Sequence, residues 1–307
     1  MANRSRKALA EFIFPYDGMI RIRFAGQGVI IAQSQPEASD TPKKVLYAVK
    51  NSIRREKAFV KPIILCYNAQ KGGIAMSLSQ LKPYCDSVVV LDTETSGLSF
   101  AGDEIIEFSA VRMVWQGEEL RTVSEVDEFV KLSGNRRLDP KITALTHITD
   151  EMLREEGISK QALCVILAQL LKPRTLIVAY NAQFDLMFLF YLLQRYGDVG
   201  LLRNQPKLDL LTVYKDRFAY PHKLCNAIDS YGLSDKVANS HRAIDDVKAT
   251  VAVMREMAKQ KGDLEKYIDL FGYNAKYGVS GKRISSVRYV PQGFEPGIPL
   301  YEKEGYR

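Results

Sequence analysis

Val88-Val89-Val90-Leu91-Asp92-Thr93-Glu94 is the stretch that decides the fold of this 307-residue chain. Its first four residues are apolar on both faces, which predicts a central strand covered on both sides. Successive strand residues point to opposite faces, so Asp92 and Glu94 point the same way at the strand end. Two neighbouring carboxylates need a cation, and oxygen ligands suit Mg²⁺ or Mn²⁺. For this pair alone, a solvated acidic strand end remains the alternative interpretation.

A third carboxylate follows a second strand-like run, residues 175–180, in the segment Asn181-Ala182-Gln183-Phe184-Asp185. Helical spacing begins there, with apolar side chains at Phe184, Phe188, Tyr191 and Leu192. Asp185 is therefore predicted to lie where a strand gives way to a helix. Open sheets bind ligands outside the carboxyl ends of their strands, so Asp185 is expected beside the Asp92 pair. The alternative is that Asp185 only stabilises the positive end of its helix.

The third segment is His241-Arg242-Ala243-Ile244-Asp245-Asp246, which leads into a predicted helix extending to about residue 259. Five residues turn a helix by about 140°, so His241 and Asp246 cannot both face one site from mid-helix. His241 is therefore predicted in the loop before the helix. An imidazole suits proton abstraction near neutral pH, although a single histidine also serves as a capping or hydrogen-bonding residue.

In order and in residue type, these three segments resemble the DEDDh 3′ to 5′ exonucleases, which include polymerase proofreading subunits, RNase T and oligoribonuclease. Leu-Asp-Thr-Glu-Thr-Ser-Gly-Leu at residues 91–98 is similar to the first motif of that family, and the segments around Asp185 and His241 to the second and third. Residues 143–152 are similar to a segment between the first two motifs. The resemblance covers about half of the chain and implies an α/β, ribonuclease H-like fold, with a mixed central sheet flanked by helices.

The resemblance also implies hydrolysis of terminal phosphodiester bonds with two divalent ions, Mg²⁺ or Mn²⁺. The implied metal ligands are Asp92, Glu94, Asp185 and Asp246, with Asp246 favoured over Asp245 by the family spacing. His241 is the implied general base. The resemblance further implies that Thr95 and Leu98 contact the terminal nucleotide and that Phe184 supports the metal site from behind. Arg242, judged from its place in the first turn of the predicted helix, either meets a phosphate or is only solvated.

The expected substrate is DNA, at single-stranded 3′ ends. Trimming of RNA or short oligonucleotides is the enzymatic alternative, because discrimination at the 2′-hydroxyl depends on pocket geometry. A second alternative is a module that mainly binds nucleic acid or tethers a polymerase and is only weakly active. A variant that loses cleavage but keeps binding separates the enzyme from the binding module.

Charge is distributed unevenly along the chain, whose net charge is +7. Residues 1–85 contain 14 Lys and Arg against 5 Asp and Glu, and residues 271–307 contain 6 against 3. The intervening residues are acidic overall, which is consistent with a metal-collecting centre between segments that bind a polyanion. Basic termini that only aid solubility are the alternative.

The predicted organisation is a basic N-terminal accessory domain at 1–85, an exonuclease domain at 86–260 and a C-terminal extension at 261–307. Within the first, residues 8–14 and 19–33 are strand-like and residues 45–55 favour a basic helix. This region is the predicted contact for nucleic acid, a polymerase or another protein. In the extension, residues 271–277 are predicted to pack on the core, whereas Lys282, Arg283 and Arg288 are candidate phosphate contacts.

The sequence predicts neither a membrane span nor a signal peptide. No apolar run approaches the roughly 20 residues that span a bilayer, and the N-terminus has no convincing signal core, so a cytoplasmic protein without membrane contact is expected. The four cysteines are widely separated and are predicted to be reduced thiols rather than zinc ligands.

Overall fold

The computed structural model describes residues 20–24, 29–33, 78–238 and 240–303. The chain divides into two compact units, Met1–Phe59 and Val60–Arg307. In the first unit, β1 (Ile20–Phe24) and β2 (Val29–Gln33) form an antiparallel pair, so the prediction of strands in 19–33 is confirmed. The strand predicted at 8–14 and the helix predicted at 45–55 lie outside the described residues. The three-domain division stays a prediction.

The second unit is built on a five-stranded sheet. Its strands are β3 (Ser87–Thr95), β4 (Ile105–Gln116), β5 (Glu119–Phe129), β6 (Thr175–Ala179) and β7 (Lys207–Asp209). Their order across the sheet is β5-β4-β3-β6-β7. β4 is antiparallel to β3 and β5, whereas β6 is parallel to β3 and β7. The sheet is mixed, as expected. Because β3, β6 and β7 are parallel, their carboxyl ends lie at the same end of the sheet.

Helices cover both faces of the sheet. They are α1 (Pro140–Thr146), α2 (Asp150–Glu155), α3 (Lys160–Leu170), α4 (Ala182–Tyr196), α5 (Gly200–Arg203), α6 (Leu210–Arg217), α7 (Leu224–Ser230) and α8 (Ala243–Gln260). Val88 and Val90 pack into one core with α6 and α8, whereas Val89 packs into the other with α3 and α4. The predicted central strand with two covered faces is confirmed, because alternate side chains enter opposite cores.

The C-terminal segment packs on the same two cores. A 3₁₀ helix at Leu264–Tyr267 leads to β8 (Leu270–Tyr273), which pairs in parallel with β9 (Arg288–Pro291) before a last 3₁₀ turn at Leu300–Glu302. The packing predicted for residues 271–277 is confirmed at Phe271, which is buried. It is wrong at Tyr277, which is 74% exposed, because the backbone turns away from the core after Asn274.

The segment between the first two motifs forms a helix–turn–helix. His147 ends α1 in the left-handed conformation with φ 60°, and Thr149 caps α2 by accepting a hydrogen bond from the Met152 amide at 3.2 Å. Cys85, Cys164 and Cys225 are free thiols, as predicted for them. In the parts of the chain described above, no helix is both long enough and apolar enough to cross a membrane.

Candidate active site

The carboxylates of β3 lie where α8 crosses the end of the sheet. Asp92 pairs across the ladder with Ser109, and Glu94 pairs with Glu107 of β4. Even-numbered side chains of β3 belong to the core that contains α8, so both carboxylates point toward the beginning of that helix. A register shift follows Glu94 and ends the regular ladder there. Asp92 and Glu94 therefore lie at the carboxyl end of the central strand, where the regular ladder ends, rather than in the middle of the sheet.

Asp92, Glu94 and Asp246 form a cluster in which one carboxylate oxygen from each lies within 4.8 Å of the others. Asp246 is buried, while the two strand residues are partly exposed. Among residues 78–238 and 240–303, no hydrogen-bond donor reaches Asp92 or Glu94. Oxygen ligands at this spacing fit a hard divalent cation such as Mg²⁺ or Mn²⁺.

Burial and mutual repulsion hold protons on these side chains. Burial, followed by the charges of Asp185 and Asp246, raises the pKa of Asp92 well above its usual value. Burial and the charge of Asp246 raise the pKa of Glu94 to about 8. Opposing positive charge would reverse both shifts, because it stabilises the ionised carboxylates. A bound cation would therefore lower the electrostatic repulsion among these carboxylates.

Asp185 enters from the opposite face of β3, in the first turn of α4. Its Oδ1 accepts hydrogen bonds from the Thr93 amide at 3.0 Å and the Thr93 hydroxyl at 2.7 Å. Burial raises the pKa of Asp185 to about 7, against the lowering effect of these hydrogen bonds. Its oxygens lie outside the 4.8 Å cluster, yet its charge is the largest electrostatic influence on the pKa of Asp92. The predicted neighbourhood of Asp185 and Asp92 is present, with Thr93 as the link between them.

The Asp245-Asp246 doublet places its two carboxylates in different surroundings. Asp246 faces the cluster, whereas Asp245 accepts a hydrogen bond from the Ser240 hydroxyl at 2.5 Å. His241 is exposed, with a left-handed backbone at φ 56°, and it precedes the first residue of α8. It thus lies in the loop before the helix, where the sequence predicts it. His241 is not among the residues whose ligand atoms converge in the 4.8 Å cluster.

The sequence interpretation did not include Glu107. This fully buried side chain pairs with Arg242, whose Nη2 lies 2.6 Å and whose Nε lies 2.8 Å from Oε1, and its Oε2 accepts the Ala243 amide at 2.9 Å. Arg242 also lies 5.0 Å from the ring of Phe129, so the interpretation that it is only solvated is wrong. Glu107 satisfies the first amide of α8 and anchors the residue after His241. A signal was available, since Glu107 interrupts an apolar strand.

The predicted nucleotide contacts surround the end of β3. Thr95 is buried and donates its hydroxyl to the Gly97 carbonyl at 2.7 Å, while Leu98 is 80% exposed. Phe184 of α4 packs edge-on to Phe100 at 5.8 Å between ring centroids. The ring of Phe188 packs 5.3 Å from Phe100 and completes this aromatic group. The loop after β3 is thus supported by α4, and Leu98 projects from it into solvent.

Comparisons with known proteins agree with this architecture. The family model of the RNase T exonucleases matches residues 89–254, about half of the chain. A DNA polymerase III of PolC type from Thermotoga maritima is 34% identical over 196 residues, which are 61% of this chain and 14% of that protein. The PolC-type enzyme of Clostridium perfringens is 29% identical over 80% of this chain and 16% of its own length. The chain thus spans less than a fifth of these two relatives.

Among solved structures, Escherichia coli Exonuclease I in complex with a dA16 oligonucleotide superposes with a TM-score of 0.52. It is 23% identical and the match covers 59% of this chain and 42% of that one, so this likeness concerns the fold. The family match includes the strand carrying Asp92 and most of α8. The chain belongs to the RNase T exonuclease family, with the ribonuclease H-like fold of DEDD-type 3′ to 5′ exonucleases.

Proposed function

We propose that this chain removes nucleotides from the 3′ end of DNA by a reaction that depends on two divalent metal ions and on His241 as general base. The observation that carries the proposal is the cluster of Asp92, Glu94 and Asp246, whose oxygens converge within 4.8 Å. Within residues 78–238 and 240–303, no hydrogen-bond donor reaches the two strand residues. Such a cluster costs stability unless a cation is bound. Its position at the carboxyl edge of the sheet is where ligands bind in open α/β folds.

The side chains divide the work between them. Asp92, Glu94 and Asp246 would hold the ions, and Asp185, fixed by Thr93, would complete the ligand set from the other face of the strand. When bound, two such ions supply a water activated for attack and neutralise charge on the phosphate oxygens. Thr93 keeps Asp185 in one orientation, so little ordering is needed when substrate arrives.

His241 would accept the proton of the attacking water on an imidazole nitrogen. It is exposed, so the proton can pass on to solvent after each turnover. Its backbone has φ 56°, a conformation that costs a non-glycine residue about 1–2 kcal/mol. Arg242, the next residue, forms an ion pair with Glu107, and this ion pair stabilises the backbone conformation of His241. Loss of the imidazole should therefore lower kcat, while metal binding is retained.

Support for DNA as the substrate comes from the relatives, which are named as DNA polymerases, and from Exonuclease I, which was solved with a DNA oligonucleotide. RNA trimming is the second candidate, because discrimination at the 2′-hydroxyl depends on the geometry of the pocket around a bound nucleotide. A partner polymerase would be contacted through residues 1–85, most of which lie outside the described part of the chain.

A cleavage time course tests the proposal. Single-stranded DNA and RNA of equal sequence, labelled at the 5′ end, are incubated with Mg²⁺, Mn²⁺ or chelator, using wild type, Asp92→Ala and His241→Ala. Asp245→Asn is the matched control, because Asp245 adjoins Asp246 but lies outside the cluster. We expect a metal-dependent ladder that shortens from the 3′ end, absent in the first two variants and retained in the third. Retained binding without cleavage of either strand would instead identify a binding module.

A further inference from the structure

The C-terminal loop of residues 280–283 is fastened to the helix that carries Asp185. Gln183, two residues before Asp185, donates Nε2 hydrogen bonds to the Ser280 carbonyl at 2.7 Å and the Lys282 carbonyl at 2.9 Å. Its Oε1 accepts the Tyr289 hydroxyl at 2.7 Å, and that hydroxyl also accepts the Ile284 amide at 3.0 Å. The Gln183 side chain therefore binds residues on both sides of Gly281, in a loop about a hundred residues further along the chain.

The same loop is packed against the loop that follows β3. Gly281 has φ 74°, and a Cβ at this position would lie 2.9 Å from Phe100 and 3.0 Å from Met187. Phe100 in turn packs on Phe184 and Phe188 of α4. Only glycine provides both this backbone conformation and this close approach. Residues 280–283 are thus fitted to the candidate nucleotide-binding loop rather than attached to a remote surface.

Two cations on this loop lie over aromatic rings. Lys282 Nζ is 5.4 Å from the ring centroid of Phe190 and 5.2 Å from that of Tyr191. Arg283 is 5.1 Å from the ring of Tyr289 and 5.5 Å from that of Tyr273. Both cations are exposed, and neither forms an ion pair with any carboxylate of residues 78–238 or 240–303. Cations interleaved with aromatic rings are typical of surfaces that follow a single strand.

We infer that the loop of residues 280–283 is an extension of the substrate-binding surface, on which Lys282 and Arg283 bind backbone phosphates of the single strand upstream of its 3′ end. The inference rests on the proposed function for the position of that 3′ end. It assigns a binding role to a segment beyond the family-matched residues 89–254. The anchored backbone gives these cations a fixed location, whereas a free tail would contribute only diffuse charge.

The test compares Lys282→Ala/Arg283→Ala with Lys276→Ala, a matched control. Lys276 is an exposed cation of the same segment that lies 5.2 Å from the ring of Tyr277 and receives no hydrogen bond from Gln183. Steady-state kinetics are measured with oligodeoxynucleotides of increasing length and with the p-nitrophenyl ester of thymidine 5′-monophosphate. We expect the double variant to raise KM for long substrates roughly tenfold at low salt, with kcat and ester hydrolysis unchanged. The control should match wild type.

Binding measured without cleavage separates this inference from the proposed function. Fluorescence anisotropy with a labelled oligonucleotide in Ca²⁺ should show that the double variant lowers the slope of log K against log salt by about one per removed cation. Gly281→Ala keeps both charges but displaces the loop, so it should weaken binding as well. Unchanged affinity and salt slope in the double variant would overturn the inference even if cleavage is normal. Weakened binding in a chain that cleaves nothing would support it and contradict the proposed function.

Discussion

The buried carboxylate of Asp209 and the partly exposed carboxylates of Asp92 and Glu94 lie at the same end of the sheet, and their surroundings differ. Asp209 ends β7, and its Oδ1 accepts hydrogen bonds from the amides of Asn181, Ala182 and Leu211 at 3.0, 3.0 and 3.2 Å. Its Oδ2 accepts the amide and hydroxyl of Thr212 at 3.2 and 2.6 Å. Asp92 and Glu94 receive no donor within the described ranges and instead face other carboxylates.

Hydrogen bonding from the backbone distinguishes a structural acid from a candidate ligand acid in this protein. Asp209 satisfies the free amides at the beginnings of α4 and α6, and it therefore stabilises two helices. The Asp92 cluster, by contrast, brings like charges together at partial burial, which costs stability. A set of acids that costs stability is expected where a ligand later supplies the compensating charge.

The largest contrast between the effect on activity and the effect on stability is expected for Asp92→Asn. Removing one ligand charge should lower kcat/KM by at least about a thousandfold, because metal binding and charge stabilisation supply several kcal/mol. The same change relieves repulsion, so the metal-free variant should be more stable than wild type by roughly 1 kcal/mol. Cleavage assays and denaturant unfolding in chelator measure the two effects. A variant that is both inactive and clearly destabilised would contradict the contrast with Asp209.

The opposite pattern is expected for Asp209→Asn. Asparagine keeps one acceptor oxygen, which can retain the three amides bound to Oδ1, but its NH2 group cannot accept the amide and hydroxyl of Thr212. These buried donors lose their partner at about 1–3 kcal/mol each. We expect a loss of about 3 kcal/mol in the free energy of unfolding, with kcat changed less than tenfold where the protein is folded. Denaturant unfolding and assays at low temperature measure these quantities. Unaltered stability would show that the five hydrogen bonds are not what holds α4 and α6.

A smaller effect is expected for Glu107→Gln, because Glu107 positions residues rather than binding the ions. The amide weakens the pair with Arg242 and should shift His241 and the first turn of α8. We expect kcat to fall roughly tenfold to a hundredfold, with KM nearly unchanged. Glu107→Asp, which keeps the charge, should recover part of the loss. An equal loss in both variants would point to a purely structural role.

The last expected effect is a pH dependence of metal binding. In the metal-free protein the pKa of Glu94 is about 8 and that of Asp185 about 7, both raised above the usual range. These raised values mean that the folded protein binds protons more tightly than the unfolded chain, so stability decreases as pH rises from about 4 to 8. Metal competes with those protons, so affinity should increase by up to about tenfold per pH unit between 6 and 8 for each proton released.

Calorimetric titration of Mn²⁺ in two buffers with different protonation enthalpies measures that release. Asp209→Asn should still release the protons held by Asp92 and Glu94, since Asp209 lies outside the cluster. Asp92→Asn should bind Mn²⁺ more weakly and release fewer protons. Affinity that does not change from pH 6 to 8 would mean that the cluster is already ionised without metal.

The sequence was sufficient for the local parts of this account. The apolar run before Asp92, the strand-to-helix step at Asp185 and the loop at His241 follow from periodicity within each segment. The interactions of Glu107 and Gln183 could not be predicted, because each joins residues that lie 97 to 136 positions apart in the chain. Glu107 becomes the partner of Arg242 only through the β3–β4 register, and Gln183 meets residues 280–283 only after β8 and β9 have packed. Local patterns contain no information on such pairings.

The most direct test of the central claim is anomalous diffraction from crystals of the full chain grown with Mn²⁺. We expect anomalous peaks among Asp92, Glu94 and Asp246, with Asp185 beside them, and no peak at Asp209. Absence of any peak at the cluster at an Mn²⁺ concentration that supports cleavage would show that these carboxylates do not form the metal site.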